Sequence, residues 1–101
     1  MTPDALLARV TALYELAEVM AAQARSLTRD IEVAAASDPN RSNDLAAAHR
    51  EMRAARNALE LARDCLSDAT APLIAADVAA EMPEADEAAF AAEIDRRISV
   101  R

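Results

Sequence analysis

Several residue types are absent or scarce in this sequence of 101 residues, and each absence excludes a class of structure. Glycine is absent, which excludes the glycine-rich loops that hold phosphate groups. Tryptophan and lysine are absent too, and the aromatic residues are a single Tyr14 and a single Phe90. Cys65 is the only cysteine, which excludes an intrachain disulfide and favours a reducing compartment.

Long apolar runs and basic excess are also missing. No apolar segment approaches the ~20 residues of a membrane span, and no basic stretch followed by an apolar run marks a secretory signal. We therefore expect a cytoplasmic protein without membrane contact. The net charge of −7 makes nonspecific binding to nucleic acid unfavourable, and no nucleic-acid partner is expected.

What the sequence does contain favours helices. Alanine accounts for 28 of the 101 residues, and β-branched and aromatic residues are few. Nothing in the composition marks a linker or a second domain. We expect a single all-α domain over residues 1–101.

Large apolar residues recur every seven positions in two stretches of the chain. They are Leu6, Leu13, Met20 and Leu27 in the first stretch, and Leu45, Met52, Leu59, Leu66 and Leu73 in the second. Between them stand Val10, Ala17, Ala24 and Ile31, and then Ala48, Ala55, Ala62 and Ala69. Folding the chain back near Pro39–Asn40 pairs the large residues with each other and places the smaller ones in alternating layers. This mirror pattern predicts a long antiparallel helical hairpin.

The expected boundaries follow from capping residues and prolines. Thr2 and Pro3 suit the start of a first helix that runs over about residues 3–36. The second helix is expected over about residues 40–71, with Asp38, Asn40, Ser42 and Asn43 all able to cap it. Pro72 should kink or end that helix, and Pro83 interrupts the chain again. One or two short C-terminal helices follow, the last over about residues 84–99.

The paired layers of the mirror pattern form the expected seam between the two long helices. The two flanks of this seam differ in character. One flank is a wide apolar face with Ala12, Leu16, Val19 and Val33 from the first helix, and Ala54, Ala58, Leu61 and Cys65 from the second. The other flank places Leu7, Tyr14 and Ala21 beside His49, Arg53, Arg56 and Arg63. A seam that is half alanine buries little apolar area. We therefore expect the apolar flank to be covered in a homodimer, as part of a helical bundle.

Neither His49 nor Cys65 has the neighbours that a reactive site needs. Met52 and Arg53 occupy the positions one helical turn after His49, so no second metal ligand is available there. Asp64 precedes Cys65 and disfavours a thiolate, and we expect a buried, unreactive thiol. The sequence predicts no catalytic residue, metal site or cofactor.

Two charged stretches are candidates for partner binding. His49, Arg53, Arg56 and Arg63 line one side of the second helix, either as a solvated face with ion pairs such as Arg56–Glu60 or as a site for an acidic partner. Nine acidic residues and no basic one lie between Asp64 and Asp95, either as a solvated surface or as a surface for a basic partner.

The segment Tyr14–Glu18 places a tyrosine four residues before a glutamate. This spacing resembles the Tyr-x-x-x-Asp/Glu signal of small helical-hairpin proteins secreted by the type VII system. In that family the signal follows the second helix, and a Trp-x-Gly turn accompanies it, which a sequence without tryptophan and glycine does not have. The sequence therefore assigns this chain to no family.

We expect a non-enzymatic protein–protein interaction module, such as an adaptor, a chaperone-like factor or an assembly component. Its expected contacts are a second copy of itself and an unidentified protein partner, through His49, Arg53, Arg56 and Arg63 or through Leu16, Val19, Leu61 and Cys65. The alternative is a small acidic inhibitor, such as an antitoxin, an immunity protein or a phage-encoded blocker. A small helical enzyme or ligand-binding bundle is the third interpretation.

Overall fold

The computed structural model describes residues 1–100 and contains three α-helices. Helix α1 spans Pro3–Ser37, α2 spans Ser42–Glu81 and α3 spans Glu87–Ser99. A short 3₁₀ turn, Pro39–Arg41, joins α1 to α2. No strand is present in residues 1–100. The predicted all-α class, with two long helices and a short C-terminal one, is confirmed.

Capping residues determine where α1 begins and where the chain turns back. The backbone N–H of Ala5 donates to Oγ1 of Thr2 at 3.1 Å, which confirms the predicted start of α1. After α1, the Asp38 carboxylate accepts a hydrogen bond from the backbone N–H of Asn40 at 3.2 Å. Asp38 is therefore the cap of the 3₁₀ turn, and Ser42 is the first residue of α2.

Helix α2 runs ten residues further than the expected end at Ala71, because it continues through Pro72 to Glu81. A proline inside a helix costs about 3 kcal/mol through its lost hydrogen bond and its clash with the preceding turn. Ile74 and Val78, which follow Pro72, are 1% and 0% exposed. Burying two such side chains contributes roughly 1.5–3 kcal/mol each, which offsets the cost of the proline.

Helix α3 begins at Glu87 and not near Glu84 as expected, because Asp86 acts as its N-cap. The Asp86 carboxylate accepts a hydrogen bond from the backbone N–H of Ala89 at 2.8 Å. Glu87 in the first turn and the arginines in the last turn complement the helix dipole.

The chain divides into two compact units, and α1 and α2 contribute to both. The hairpin unit is Glu15–Asp64, and the α3 unit is Met1–Tyr14 with the chain from Cys65 onward. The core of the α3 unit is Leu7, Ile74 and Val78, against which Leu73, Met82, Phe90 and Ile94 are packed. Side chains of α3 thus complete this core.

The buried row of the hairpin unit consists of small residues. Ala17, Ala21, Ala24 and Thr28 are at most 7% exposed. Their spacing of three or four residues places them on one side of α1, facing α2. The hydroxyl of Thr28 donates to the backbone oxygen of Ala24 at 2.7 Å, which satisfies this polar group inside the unit.

The layers of large residues in the mirror pattern are displaced by one residue on α1, whereas Ala17 and Ala24 of its small layers are buried as predicted. On α2, Ala55 and Ala62 were expected in the small layers but are exposed. In the hairpin unit, Met20 and Leu27 were expected in the seam but are 44% and 48% exposed, and the next residues, Ala21 and Thr28, are buried instead. In the α3 unit, Leu6 is 37% exposed whereas Leu7 is 3% exposed. Alanine lets two helix backbones approach closely, and the leucine row remains outside.

Candidate interaction surface

One side of the hairpin unit is polar and joins the two helices. Nη1 of Arg25 lies 3.1 Å from Oε1 of Glu60, and Nε2 of His49 lies 2.6 Å from Oε1 of Glu32. From the first pair to the second, the residue number on α1 increases from 25 to 32, while the residue number on α2 decreases from 60 to 49. The two helices are therefore antiparallel. These two pairs define the polar side of the hairpin unit.

The opposite side of the hairpin unit follows from helix geometry. Successive residues are rotated by about 100° around a helix, so the residues before and after a buried position lie on opposite sides of it. Arg25 follows buried Ala24, whereas Met20 precedes buried Ala21. On α2, Glu60 follows half-buried Leu59, and Ala58 precedes it. Met20 and Ala58 therefore share the side that faces away from the ion pairs.

This second side carries mostly apolar residues on both helices, with Gln23 on α1 and Glu51 on α2 among them, and we call its apolar residues the apolar face. Its α1 part is a ridge of large side chains, Leu16, Met20 and Leu27, with Val19 at its outer edge. Its α2 part is a trough of small side chains, together with one leucine: Ala54, Ala55, Ala58, Ala62 and Leu61. All nine residues are exposed, and the large ones are 44–64% exposed. A single chain leaves this face uncovered.

Three of the predicted partner-binding residues, Leu16, Val19 and Leu61, lie on the apolar face. Cys65 belongs to the α3 unit. Its thiol was expected to be buried, and that expectation is wrong, because Cys65 is exposed. The expectation placed Cys65 on an apolar flank that a homodimer covers, and within the single chain nothing covers it.

The predicted basic stripe is occupied in part by ion pairs and hydrogen bonds. His49 is half-buried and paired with Glu32, as expected for a flanking histidine. Arg56 donates to Oδ1 of Asn57 at 3.2 Å, while Glu60 pairs with Arg25 and not with Arg56 as expected. Arg63 lies 3.0 Å from Asp64. The ion pairs favour the structural interpretation of this stripe.

Arg53 differs from the rest of the stripe. It is exposed, and within residues 1–100 it makes no hydrogen bond or ion pair. A shallow groove of about 350 Å³ lies beside the stripe, lined by Glu32, Ala35, Ala46, His49 and Arg50. The Glu32–His49 pair occupies its polar wall, so the groove offers one exposed arginine, Arg50, to a ligand.

The α3 unit has its own charged centre, at Arg97. Its guanidinium donates to Asp77 at 2.8 Å and to Glu93 at 2.9 Å, and it also donates to Glu81. Asp77 and Glu81 lie on α2, so Arg97 binds α3 to α2. Three carboxylates of the acidic stretch are thereby neutralised within the chain.

The arginines of α3 shift the ionisation of this cluster. Hydrogen bonds from Arg96 and Arg97 lower the pKa of Glu93 from its ordinary value of 4.5 to about 2. The carboxylates of Glu81 and Glu93 raise the pKa of Arg97, which stays charged in any case. A cleft of about 240 Å³ next to this cluster is lined by Asp4, Leu7, Ile74, Asp77, Arg96, Arg97 and Val100. The cluster holds α3 in place by charge pairing.

Residues 1–100 contain neither a metal-binding cluster nor a membrane-spanning helix. No group of three or more His, Cys, Asp or Glu side chains in this range is placed to hold a metal ion. None of the helices in this range has the length and apolarity needed to cross a membrane. The expectations of no cofactor, no catalytic residue and no nucleic-acid partner stay predictions.

Sequence reasoning missed that the leucine row of α1 belongs to the surface. The signal for this was present, since Leu7, Tyr14, Ala21 and Thr28 form a second row with the same seven-residue spacing. It also missed Arg97, whose partners on α2 are 16 and 20 residues away in sequence. Against known proteins, no family model, no curated protein and no solved structure matches this chain.

Proposed function

We propose that this chain is a non-enzymatic protein–protein interaction module that packs its apolar face against another apolar helical surface. The observation that carries the proposal is the exposure of Leu16, Val19, Met20, Leu27 and Leu61 on one side of the hairpin unit. Soluble proteins rarely expose contiguous apolar patches of more than a few hundred Å², and larger patches mark interaction sites.

The interior of the hairpin unit supports the proposal. Its buried side chains are alanines and one threonine, and large residues such as Leu45, Met52 and Leu59 are only half-buried, so the unit removes little apolar surface from water for its length. Each large side chain of the ridge would contribute roughly 1.5–3 kcal/mol if it were fully buried. Covering the apolar face therefore adds the stabilisation that the hairpin lacks on its own.

Several charged side chains contact each other within the chain, which supports a role for them in holding the helices together and not in binding a charged partner. Arg97 pairs with Asp77 and so joins α3 to α2, and a hydrogen bond between His49 and Glu32 joins α2 to α1. Glu93 pairs with Arg97 within α3. The alternative, an acidic inhibitor, loses part of its basis, because Asp77, Glu81 and Glu93 already pair with Arg97. It stays an alternative prediction.

In-cell cross-linking of the tagged full chain tests the proposed function. The test compares the wild type with a ridge variant, Met20→Glu/Leu27→Glu, which places two charges on the apolar face. The control variant, Ala22→Glu/Ala46→Glu, adds the same charge at exposed positions on the polar side. We expect cross-linked complexes with the wild type and the control, and none with the ridge variant.

Circular dichroism of the purified ridge variant must show the helix content of the wild type, because the substituted side chains are about half exposed. If the folded ridge variant forms the same complexes as the wild type, the apolar face is not the interaction surface and the proposal fails.

A further inference from the structure

We infer that the occupant of the apolar face is a second copy of this chain, with the ridge of each copy seated in the trough of the other. This inference rests on the proposed function and adds the identity of the partner. It follows from the shape of the face, from the surface area that the chain exposes and from the uncharged character of the nine residues that define the face.

The shape of the apolar face is complementary to itself. Met20 and Leu27, seven residues apart, project from α1, and Ala55 and Ala62, also seven residues apart, leave a depression along α2. Helices pack by placing ridges of side chains in the grooves of their neighbours. One face thus carries both the ridge and the depression that receives it.

A twofold axis uses both halves of the face at once. When the ridge of one copy enters the trough of the second, symmetry brings the ridge of the second copy into the trough of the first. The assembly then closes at two copies, and the hairpin units together form a four-helix bundle. A ridge packed on a ridge would instead leave both alanine troughs unfilled.

The accessible area is large enough for such a dimer. The chain exposes 6978 Å², whereas a folded monomer of 10.8 kDa is expected to expose roughly 5,500 Å². The difference exceeds the ~800 Å² that each partner buries in an interface of standard size. The chain therefore exposes enough surface for a second copy to bury an interface of standard size.

The charge distribution favours a second copy over a basic partner. The nine residues that define the apolar face are uncharged, and Glu51 is an acidic residue beside them on α2, so the main contact that the face offers is apolar packing. Two copies, each with a net charge of −7, repel each other at long range. Added salt screens this repulsion and strengthens the dimer, whereas salt weakens binding between an acidic and a basic protein.

Sedimentation equilibrium of the purified full chain at micromolar concentration tests the inference. We expect twice the chain mass of 10.8 kDa for the wild type, and tighter association at higher salt. The ridge variant, Met20→Glu/Leu27→Glu, and a trough variant, Ala55→Arg/Ala62→Arg, should each be monomeric, with association weakened at least about a hundredfold by buried charge. The variant Ala22→Arg/Ala46→Arg is the matched control and should remain dimeric.

Mixing the ridge and trough variants tests the pairing itself. In the mixed pair, the glutamates of one ridge meet the arginines of one trough, while the other ridge and trough are unchanged. We expect the mixture to recover dimers that neither variant forms alone. If the mixture stays monomeric, or if the trough variant alone is dimeric, the ridge-in-trough arrangement is wrong.

Failure of this inference is distinct from failure of the proposed function. A purified wild type that stays at 10.8 kDa overturns the second copy as occupant. If the ridge variant nevertheless loses its complexes in cells, the interaction module stands and its partner is a different protein. If those complexes persist in the ridge variant, the proposed function itself fails.

Discussion

Arg97 on α3 donates from Nη1 to Oδ2 of Asp77 on α2, across 2.8 Å. Both side chains are mostly buried, at 22% and 14% exposure. The same guanidinium also pairs with Glu81 and Glu93. A helix of 13 residues is marginal in water by itself, so its order depends on contacts such as these.

Replacing Arg97 with methionine should loosen α3. The substitution keeps the length of the side chain and removes all three ion pairs at once. We expect amide hydrogens of Glu87–Ser99 to exchange roughly tenfold faster or more, because local opening becomes easier. Hydrogen exchange with mass spectrometry measures this change.

Arg96→Met is the matched control for Arg97→Met. Arg96 is 63% exposed and pairs with Glu93 on its own helix, so it does not join α3 to α2. Its loss should change exchange in α3 by less than the loss of Arg97. Equal effects of the two substitutions would show that the Arg97 cluster does not hold α3.

Acid should weaken the ion pairs of Glu93 within α3, and with them the stability of the folded chain, within a defined pH window. The pKa of Glu93 is lowered in the folded chain from 4.5 to about 2, so the unfolded state takes up a proton first as the pH falls. The stabilising contribution is complete above about pH 4.5 and is lost as the pH falls towards 2. Thermal unfolding between pH 6 and pH 2 measures it.

The control variant for the effect of acid is Glu93→Gln, because a glutamine side chain does not titrate. Because other carboxylates also titrate in this range, the variant should lose stability with acid less steeply than the wild type. Identical pH profiles of the two proteins would contradict the assignment to Glu93.

Two neighbouring leucines test which row of α1 is buried in the α3 unit. Leu7 is 3% exposed and contacts Ile74 and Val78 within one core cluster, so Leu7→Ala should cost about 2–5 kcal/mol. Leu6 is 37% exposed, and Leu6→Ala should cost distinctly less. Chemical denaturation of both variants gives the two free energies of unfolding. If Leu6→Ala lowers the free energy of unfolding more than Leu7→Ala does, Leu6 is the buried residue, as the mirror pattern predicted.

Two neighbouring alanines test the same question in the hairpin unit. Ala21 is 0% exposed, and Ala21→Leu should destabilise the chain by about 1–3 kcal/mol through overpacking. Ala22 is exposed, and Ala22→Leu should change the free energy of unfolding by no more than about 0.5 kcal/mol. The midpoint of urea denaturation reports the difference. If Ala21→Leu leaves the midpoint of urea denaturation unchanged, Ala21 does not lie between the two helices.

The elements of the fold were predictable because their signals are local. Thr2 and Pro3 begin α1, and the break around Pro39 separates the two long helices. The end of α2 was not predictable, since the cost of Pro72 is local whereas the burial of Ile74 and Val78 depends on distant residues. Of the predicted site, Leu16, Val19 and Leu61 are exposed as the expected apolar flank requires.

The sequence by itself determined that this chain forms two long helices that fold back on each other, because helix formers, caps and seven-residue spacing act within a few turns. Only the tertiary structure decided which of two adjacent rows on α1 faces inwards. Both rows, the one with Met20 and the one with Ala21, have the same period, so periodicity does not distinguish them. Close approach at the small residues, and polar contacts such as the Glu32–His49 hydrogen bond, place the row with Ala21 inside and the row with Met20 on the surface.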